Sequence, residues 1–182
     1  MNLVVAITGA TGVYAAKVLI ETSPWPVTLV ASEQGRTVYE QECGAFDPLA
    51  ARAAEVYADS DLTAPIASGS FPTRGMVILP CTANTLGKIA QGIGDTLITR
   101  TAQVALKERF KLVICVRETP LSTVTLEQCA RLSRDGAIIM PISPPLYFVP
   151  KSVDEYVQAF VDKVLAVVGF RESKGWRSEE LE

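Results

Sequence analysis

Histidine is absent from the 182 residues, and cysteine occurs only four times, as Cys43, Cys81, Cys115 and Cys129, with no C-x-x-C spacing. The first absence removes the commonest general base. Together the two leave a zinc site without its ordinary ligands and a disulfide framework without closely spaced partners. A reduced, cytoplasmic, metal-free protein is expected. A large excess of either charge is also lacking: the formal net charge is −3 and basic residues do not cluster, so there is no nucleic-acid footprint. No apolar run is long enough to span a bilayer, so no membrane partner is expected. The opening "NLVVAI" lacks a basic n-region and a cleavage site, and it reads as a first strand rather than a signal peptide.

What is present is a chain that is 48% hydrophobic, without low-complexity segments or internal repeats, and of a length that fits one domain. Short apolar runs alternate with longer segments of helical period, the pattern of βαβ units and a parallel sheet. Strands are expected at 2–7, 27–31, 76–79 (ending at Pro80), 111–116 and 137–140, with a short one near 55–57. Helices are expected at 13–21, stopped by Pro24 and Pro26, and at 33–43, 84–91, 96–108 and 123–133, with a short one near 48–54. Ser152 caps a last helix running to 168. The stretch "PISPPLYFVP" must be loop, and the polar tail after 169 carries Trp176. The fold class is therefore α/β, with a parallel sheet.

In such sheets ligands bind beyond the carboxyl ends of the strands. The residues that follow the apolar runs are Thr8, Gly9, Ala10, Thr11 and Gly12; Ser32; Cys81, Thr82, Ala83, Asn84 and Thr85; Arg117, Glu118 and Thr119; and the loop with Tyr147. Hydroxyls, glycines and helix starts suit an anion such as a phosphate. The competing structural reading is that the hydroxyls simply cap helices. A nicotinamide-dinucleotide fold is the obvious reading of Thr8-Gly9-Ala10-Thr11-Gly12. Against it, the third glycine of the fingerprint falls at Ala15, Glu33 stands one step late for a ribose-binding acid, and Pro150 interrupts the Tyr147/Lys151 pair.

Four stretches are more specific: "TGATG" at 8–12, "SGSFPTRGMVILPCTANTLGKIAQGI" at 68–93, "TRTAQVALKERFKLVICVRETPLS" at 99–122 and "PPLYFVPKSVDE" at 144–155. Together they resemble the UbiX-type flavin prenyltransferases, within the wider group of homo-oligomeric flavin-containing decarboxylase-like proteins. The resemblance implies a flavodoxin-like or Rossmann-like open parallel sheet with helices on both faces, forming a flavoprotein domain over 1–169 that binds FMN at subunit contacts, with a tail, 170–182, that packs on a neighbouring subunit. It also implies reduced FMN as acceptor substrate, dimethylallyl phosphate as donor of the group joined to N5 and C6, and prenylated FMN as product. A UbiD-type decarboxylase would receive that product, and the enzyme would be a homo-oligomer, often a dodecamer.

Carried onto this chain, the resemblance puts flavin contacts at Gly9, Ala10, Thr11, Ser32, Thr82, Ala83, Asn84, Thr85 and Arg117. It puts the prenyl-phosphate site at Arg100, Lys107, Glu118, Tyr147 and Lys163, some from neighbouring subunits, with Glu42 a nearby acid. Arg100, Lys107 and Lys163 would stabilise the departing phosphate, and Tyr147 would donate a hydrogen bond to it. Trp176 is a candidate aromatic face for the allylic cation. With no histidine, Glu118 or the released phosphate must relay the proton lost from C6. Plainer structural readings are a solvated stripe for Arg100 and Lys107, a surface pair for Arg117 and Glu118, loop packing for Tyr147, and for Trp176 either a disordered tail or a cap on a neighbouring subunit.

The chain departs from the family pattern at four places. Lys163 replaces an arginine and loses its bidentate fork. Asn84 replaces a lysine. Phe148-Val149 makes the mouth more apolar, and Tyr14 stands where it would crowd or line the prenyl pocket. These changes keep a second function open, an FMN-binding protein for storage or electron transfer. Relatives that decarboxylate cysteine peptides share "ANTLGKIAQGI" but rely on an early histidine that is missing here.

Overall fold

The computed structural model describes residues 1–170 apart from 145, 147 and 148. Among these, six strands form one parallel sheet: β1 (Leu3–Ile7), β2 (Val27–Ala31), β3 (Glu55–Ala58), β4 (Gly75–Cys81), β5 (Leu112–Val116) and β6 (Ile138–Ile139). Their spatial order is β3-β2-β1-β4-β5-β6. Six α-helices lie between the strands and a seventh follows β6: α1 (Val13–Thr22), α2 (Glu33–Cys43), α3 (Asp47–Ala50), α4 (Ala83–Ala90), α5 (Leu97–Glu108), α6 (Thr123–Arg134) and α7 (Val153–Val168). The order reverses between β1 and β4, which makes their carboxyl ends the topological switch point of a doubly wound sheet.

The sandwich follows from period-two alternation in strands buried on both faces. Leu3, Val5 and Ile7 of β1, with Val77, Leu79, Val113 and Cys115, face one core that also takes Leu19 of α1, Tyr39 of α2 and Phe160, Val161, Val164, Leu165 and Val168 of α7. The intervening Val4, Ala6, Met76, Ile78, Leu112 and Ile114 face a second core with Leu86 and Ile89 of α4, Leu97, Ile98, Ala102 and Ala105 of α5, and Leu132 of α6. Thus α1, α2 and α7 cover one side of the sheet and α4, α5 and α6 the other. The apolar stripe of α7 recurs at helical spacing, and Ser152 caps that helix by accepting the Glu155 amide at 3.1 Å.

Beyond shifts of one residue, three elements differ from expectation. The short helix near 48–54 covers only Asp47–Ala50. β6 is two residues long, although Met140 and Ile142 amides still donate to the Ile114 and Val116 carbonyls. β4 does not stop at Pro80 but runs on to Cys81, with a register shift against β5 between Ile78 and Cys81. Pro80 has no N–H for the ladder, so the pairing is irregular there, yet its carbonyl remains an acceptor.

One tight approach shapes the site edge. A Cβ on Gly35, in the first turn of α2, would overlap the Ile7 carbonyl oxygen and lie 2.8 Å from the Ile7 carbonyl carbon. Only glycine lets α2 start directly over the end of β1. Gly35→Ala is expected to destabilise the fold by about 1–3 kcal/mol, measured by urea unfolding; an unchanged midpoint would show that the helix can shift at no cost.

Candidate functional site

The switch point is held together by Thr8, which is 2% exposed. Its hydroxyl donates to the Pro80 carbonyl at 2.8 Å and accepts the Thr82 amide at 2.9 Å. One side chain at the end of β1 thereby fixes both the end of β4 and the entry to α4. Thr82 then caps α4, accepting the Thr85 amide at 3.1 Å and donating to the Thr85 hydroxyl at 3.0 Å. On the neighbouring strand Ser32 caps α2, accepting the Gly35 amide at 3.0 Å. The capping reading of these hydroxyls is therefore correct as far as it goes. The Ser32 hydroxyl, which caps only as an acceptor, still has a proton to donate, whereas that of Thr82 goes to Thr85; both caps aim helix N-termini at the same space.

That space is a cleft of about 310 Å³, within the range of small-molecule sites. Thr8, Gly9, Ser32 and Gln34 form one wall; Thr82, Asn84, Thr85 and Lys88 of α4 form the second; Asp59, Thr96, Ile98 and Thr99 close the third. Gly9 is close to Gln34: an added Cβ would lie 2.6 Å from the Gln34 Cβ. The third wall is tied down by Asp59 at the end of β3, whose carboxylate accepts the Ile98 amide at 2.8 Å and whose carbonyl accepts the Leu97 amide at 2.7 Å. Thr96 and Thr99 complete a capping box at the start of α5. A second groove of about 660 Å³ opens alongside and shares Ser32, Gln34, Asp59 and Thr96 with the first.

Of the flavin-contact positions, Gly9, Ser32, Thr82, Asn84 and Thr85 line this cleft, while Ala10, Thr11, Ala83 and Arg117 sit at the same sheet edge outside its walls. Gln34, Asp59, Lys88, Thr96 and Thr99 are walls that sequence reasoning missed. The capping-box spacing at Thr96 was visible in the sequence; the long-range role of Asp59 was not.

The cationic positions do not meet within one chain. Arg100 is exposed on α5 and its Nε donates to the Ala67 carbonyl at 3.1 Å. Lys107, also exposed on α5, pairs with Glu108. Lys163 is exposed on α7, which covers the opposite side of the sheet. Glu118 is exposed beyond β5, and its carboxylate accepts the Thr119 amide at 3.0 Å. Tyr147 and Trp176 lie outside the described residues.

Glu42 and Tyr14 have structural partners. Glu42 of α2 accepts the Gly12 amide at 3.0 Å, where Gly12 adopts a φ of 92°. It supplies the acid that the first turn of α1 lacks. The Tyr14 hydroxyl donates to Asp154 at 2.7 Å, joining α1 to the start of α7, and that bond pushes the phenol above its ordinary range. Burial pushes the Cys81 and Cys115 thiols up, so neither presents a thiolate at neutral pH.

An open α/β sheet with helix starts, glycines and hydroxyls gathered at its switch point defines a binding protein for a phosphorylated ligand. The family model described as Flavoprotein matches residues 1–169. A flavin prenyltransferase UbiX from Thermoplasma acidophilum is 44% identical over 171 residues, covering 93% of this chain and 95% of the relative. A crystal structure of AnUbiX in complex with FMN and dimethylallyl pyrophosphate has a TM-score of 0.90 at 36% identity, covering 97% of this chain and 98% of that one. A dodecameric FMN-dependent UbiX-like decarboxylase from Escherichia coli O157:H7 has a TM-score of 0.92 at 39% identity, covering 98% of this chain and all of that one, 100%. The chain belongs to the Flavoprotein family and, within it, to the UbiX flavin prenyltransferases.

Because Thr8 satisfies two buried backbone groups at once, Thr8→Val is expected to cost about 2 kcal/mol or more and to loosen the entry to α4. Equilibrium unfolding and flavin titration check this together; a variant with unchanged stability and unchanged flavin affinity would remove Thr8 from the account.

Proposed function

We propose that this protein is a flavin prenyltransferase that joins a dimethylallyl group, taken from dimethylallyl phosphate, to N5 and C6 of reduced FMN. The observation that carries this reading is the cleft at the β1–β4 switch point, built by Thr8, Gly9, Ser32, Thr82 and Thr85 in a chain 44% identical to a named flavin prenyltransferase. The residues present suit FMN. Its phosphate needs N–H and O–H donors and a close backbone, which the capped starts of α2 and α4 and Gly9 supply. The adjoining groove leaves room for a ligand longer than a phosphate. When bound and reduced, FMN supplies the two nucleophilic ring positions.

In the balanced reaction the donor's carbon–oxygen bond breaks and its phosphate leaves with the bonding pair. A carbon–nitrogen bond forms with loss of one proton; the donor's alkene π bond is then consumed as the carbon–carbon bond forms with loss of the C6 proton, so that one of the two displaced protons ends on the donor's neighbouring alkene carbon and the other on the phosphate. The chain's part is to stabilise growing charge on the phosphate and to move the proton from C6. Arg100 and Lys107 from one subunit and Lys163 from another meet the phosphate. Their placement on opposite sides of the sheet supports a site completed by neighbouring copies, as in a homo-oligomer such as the dodecameric relative. Tyr147 donates a hydrogen bond to the phosphate, and Trp176, from the tail 170–182, offers an aromatic face to the allylic cation. Glu118, whose carboxylate is exposed, relays the proton together with the phosphate. Glu42 acts through the glycine turn, fixing Gly12 rather than touching the donor. Arg117, Ala10, Thr11, Ala83 and Asn84 complete the flavin rim. No described helix is long and apolar enough to cross a membrane, and the proposed site of action is the cytoplasm. The product then passes to a UbiD-type decarboxylase.

The test is anaerobic incubation with reduced FMN and dimethylallyl phosphate, followed by mass spectrometry of the flavin. A flavin heavier by one C5 unit is expected, and Glu118→Gln should bind flavin normally yet turn over about a hundredfold more slowly. Flavin that stays bound and unaltered in the unmutated protein would favour the carrier reading instead.

A further inference from the structure

A phosphate monoester carries nearly two negative charges at neutral pH, and neutral hydroxyls and amides alone are a poor match for it. The described walls of the cleft hold one cationic side chain, Lys88. It stands one helical turn after Asn84 on α4, so the two share a face, and both line the cleft. The only acid on those walls, Asp59, already accepts the Ile98 amide and serves as part of the α5 cap. Lys88 is not free, however: its Nζ lies 2.6 Å from the carboxylate of Asp95, in the loop between α4 and α5. The pair is accessible, with side chains 31% and 50% exposed. Asp95 accepts a second, longer bond of 3.4 Å from the Thr99 hydroxyl. The Lys88 ammonium holds the Asp95 carboxyl below the ordinary carboxylate range.

We propose that Lys88 is the cation that meets the phosphate of the ligand in this cleft, and that Asp95 competes for it and thereby sets the affinity. An exposed ion pair is weak. A phosphate brings more charge and three acceptor oxygens, so it wins the ammonium when it enters. A lysine can make this switch because its flexible stem swings a point charge between partners without the fixed geometry an arginine requires. The inference rests on the reading that the cleft holds FMN, and it adds which side chain recognises the phosphate rather than the ring.

The probes are FMN and riboflavin, which differ only in that phosphate, titrated against the full-length protein. Lys88→Gln is expected to weaken FMN by roughly tenfold or more and riboflavin by less than about twofold. It is also expected to flatten the dependence of FMN affinity on salt. Asp95→Asn, which frees the ammonium, is expected to tighten FMN by about two- to fivefold and to leave riboflavin unchanged. Lys88→Arg should recover most of the FMN affinity. A merely structural ion pair would give a different pattern: both neutral variants would lower thermal stability and weaken the two flavins equally, and that result overturns the proposal. So does unaltered FMN affinity in Lys88→Gln. Failure of the unmutated protein to bind FMN at all would instead overturn the assignment of the cleft, and would be seen before any variant is made.

Discussion

The architecture of the site depends on one buried hydroxyl. At a switch point the chain must send β1 and β4 apart into helices on opposite sides of the sheet, and this leaves backbone groups at both strand ends without sheet partners. Thr8 answers that need by donating to the Pro80 carbonyl and accepting the Thr82 amide. Pro80 contributes because a proline within a buried strand removes a donor while leaving an acceptor that must still be satisfied. With these groups tied, the start of α4 is aimed at the space above β1, where α2 also begins after Gly35 passes over Ile7. Two helix N-termini then share one cleft, and anion binding follows from their direction.

The same geometry explains why the chain alone makes only half of the proposed chemistry. The flavin-contact positions that line the cleft come from strand ends and helix starts of one chain. The cations assigned to the phosphate, Arg100, Lys107 and Lys163, are exposed on α5 and α7, on opposite sides of the sheet. In the proposed function they meet across neighbouring copies. In this reading, oligomerisation is part of the active site. In the separate chain Lys107 is paired with Glu108.

Much of this was legible in the sequence where the signals are local. β2 and α2 run over 27–31 and 33–43 as expected, because Pro26 precedes the strand, Ser32 caps the helix and Gly44 follows it. The starts of α6 and α7 follow their serine caps in the same way. The resemblance placed Gly9, Ser32, Thr82, Asn84 and Thr85 at the flavin rim, and all five line the cleft. What could not be read depended on distant partners. Asp59 looks like an ordinary loop acid until the β3 loop folds onto α5. Gly35 looks like a weak residue in a helix until β1 is seen beneath it. Lys88 looks like a solvated helix charge until the cleft wall is drawn. Glu42 and Tyr14 point to the same limit, since each resembled a pocket residue and each is tied to another element, at Gly12 and Asp154.

The central claim is that FMN lies along the carboxyl edge of the sheet with its phosphate at the β1–β4 switch point. A crystal structure of the assembled protein grown with FMN tests it most directly. The account predicts density for the phosphate within hydrogen-bond distance of the Ser32 and Thr82 region of the cleft, with cations from neighbouring subunits converging beyond the ring. An empty cleft in crystals whose FMN is bound elsewhere, or cations that remain apart in the full assembly, would contradict it.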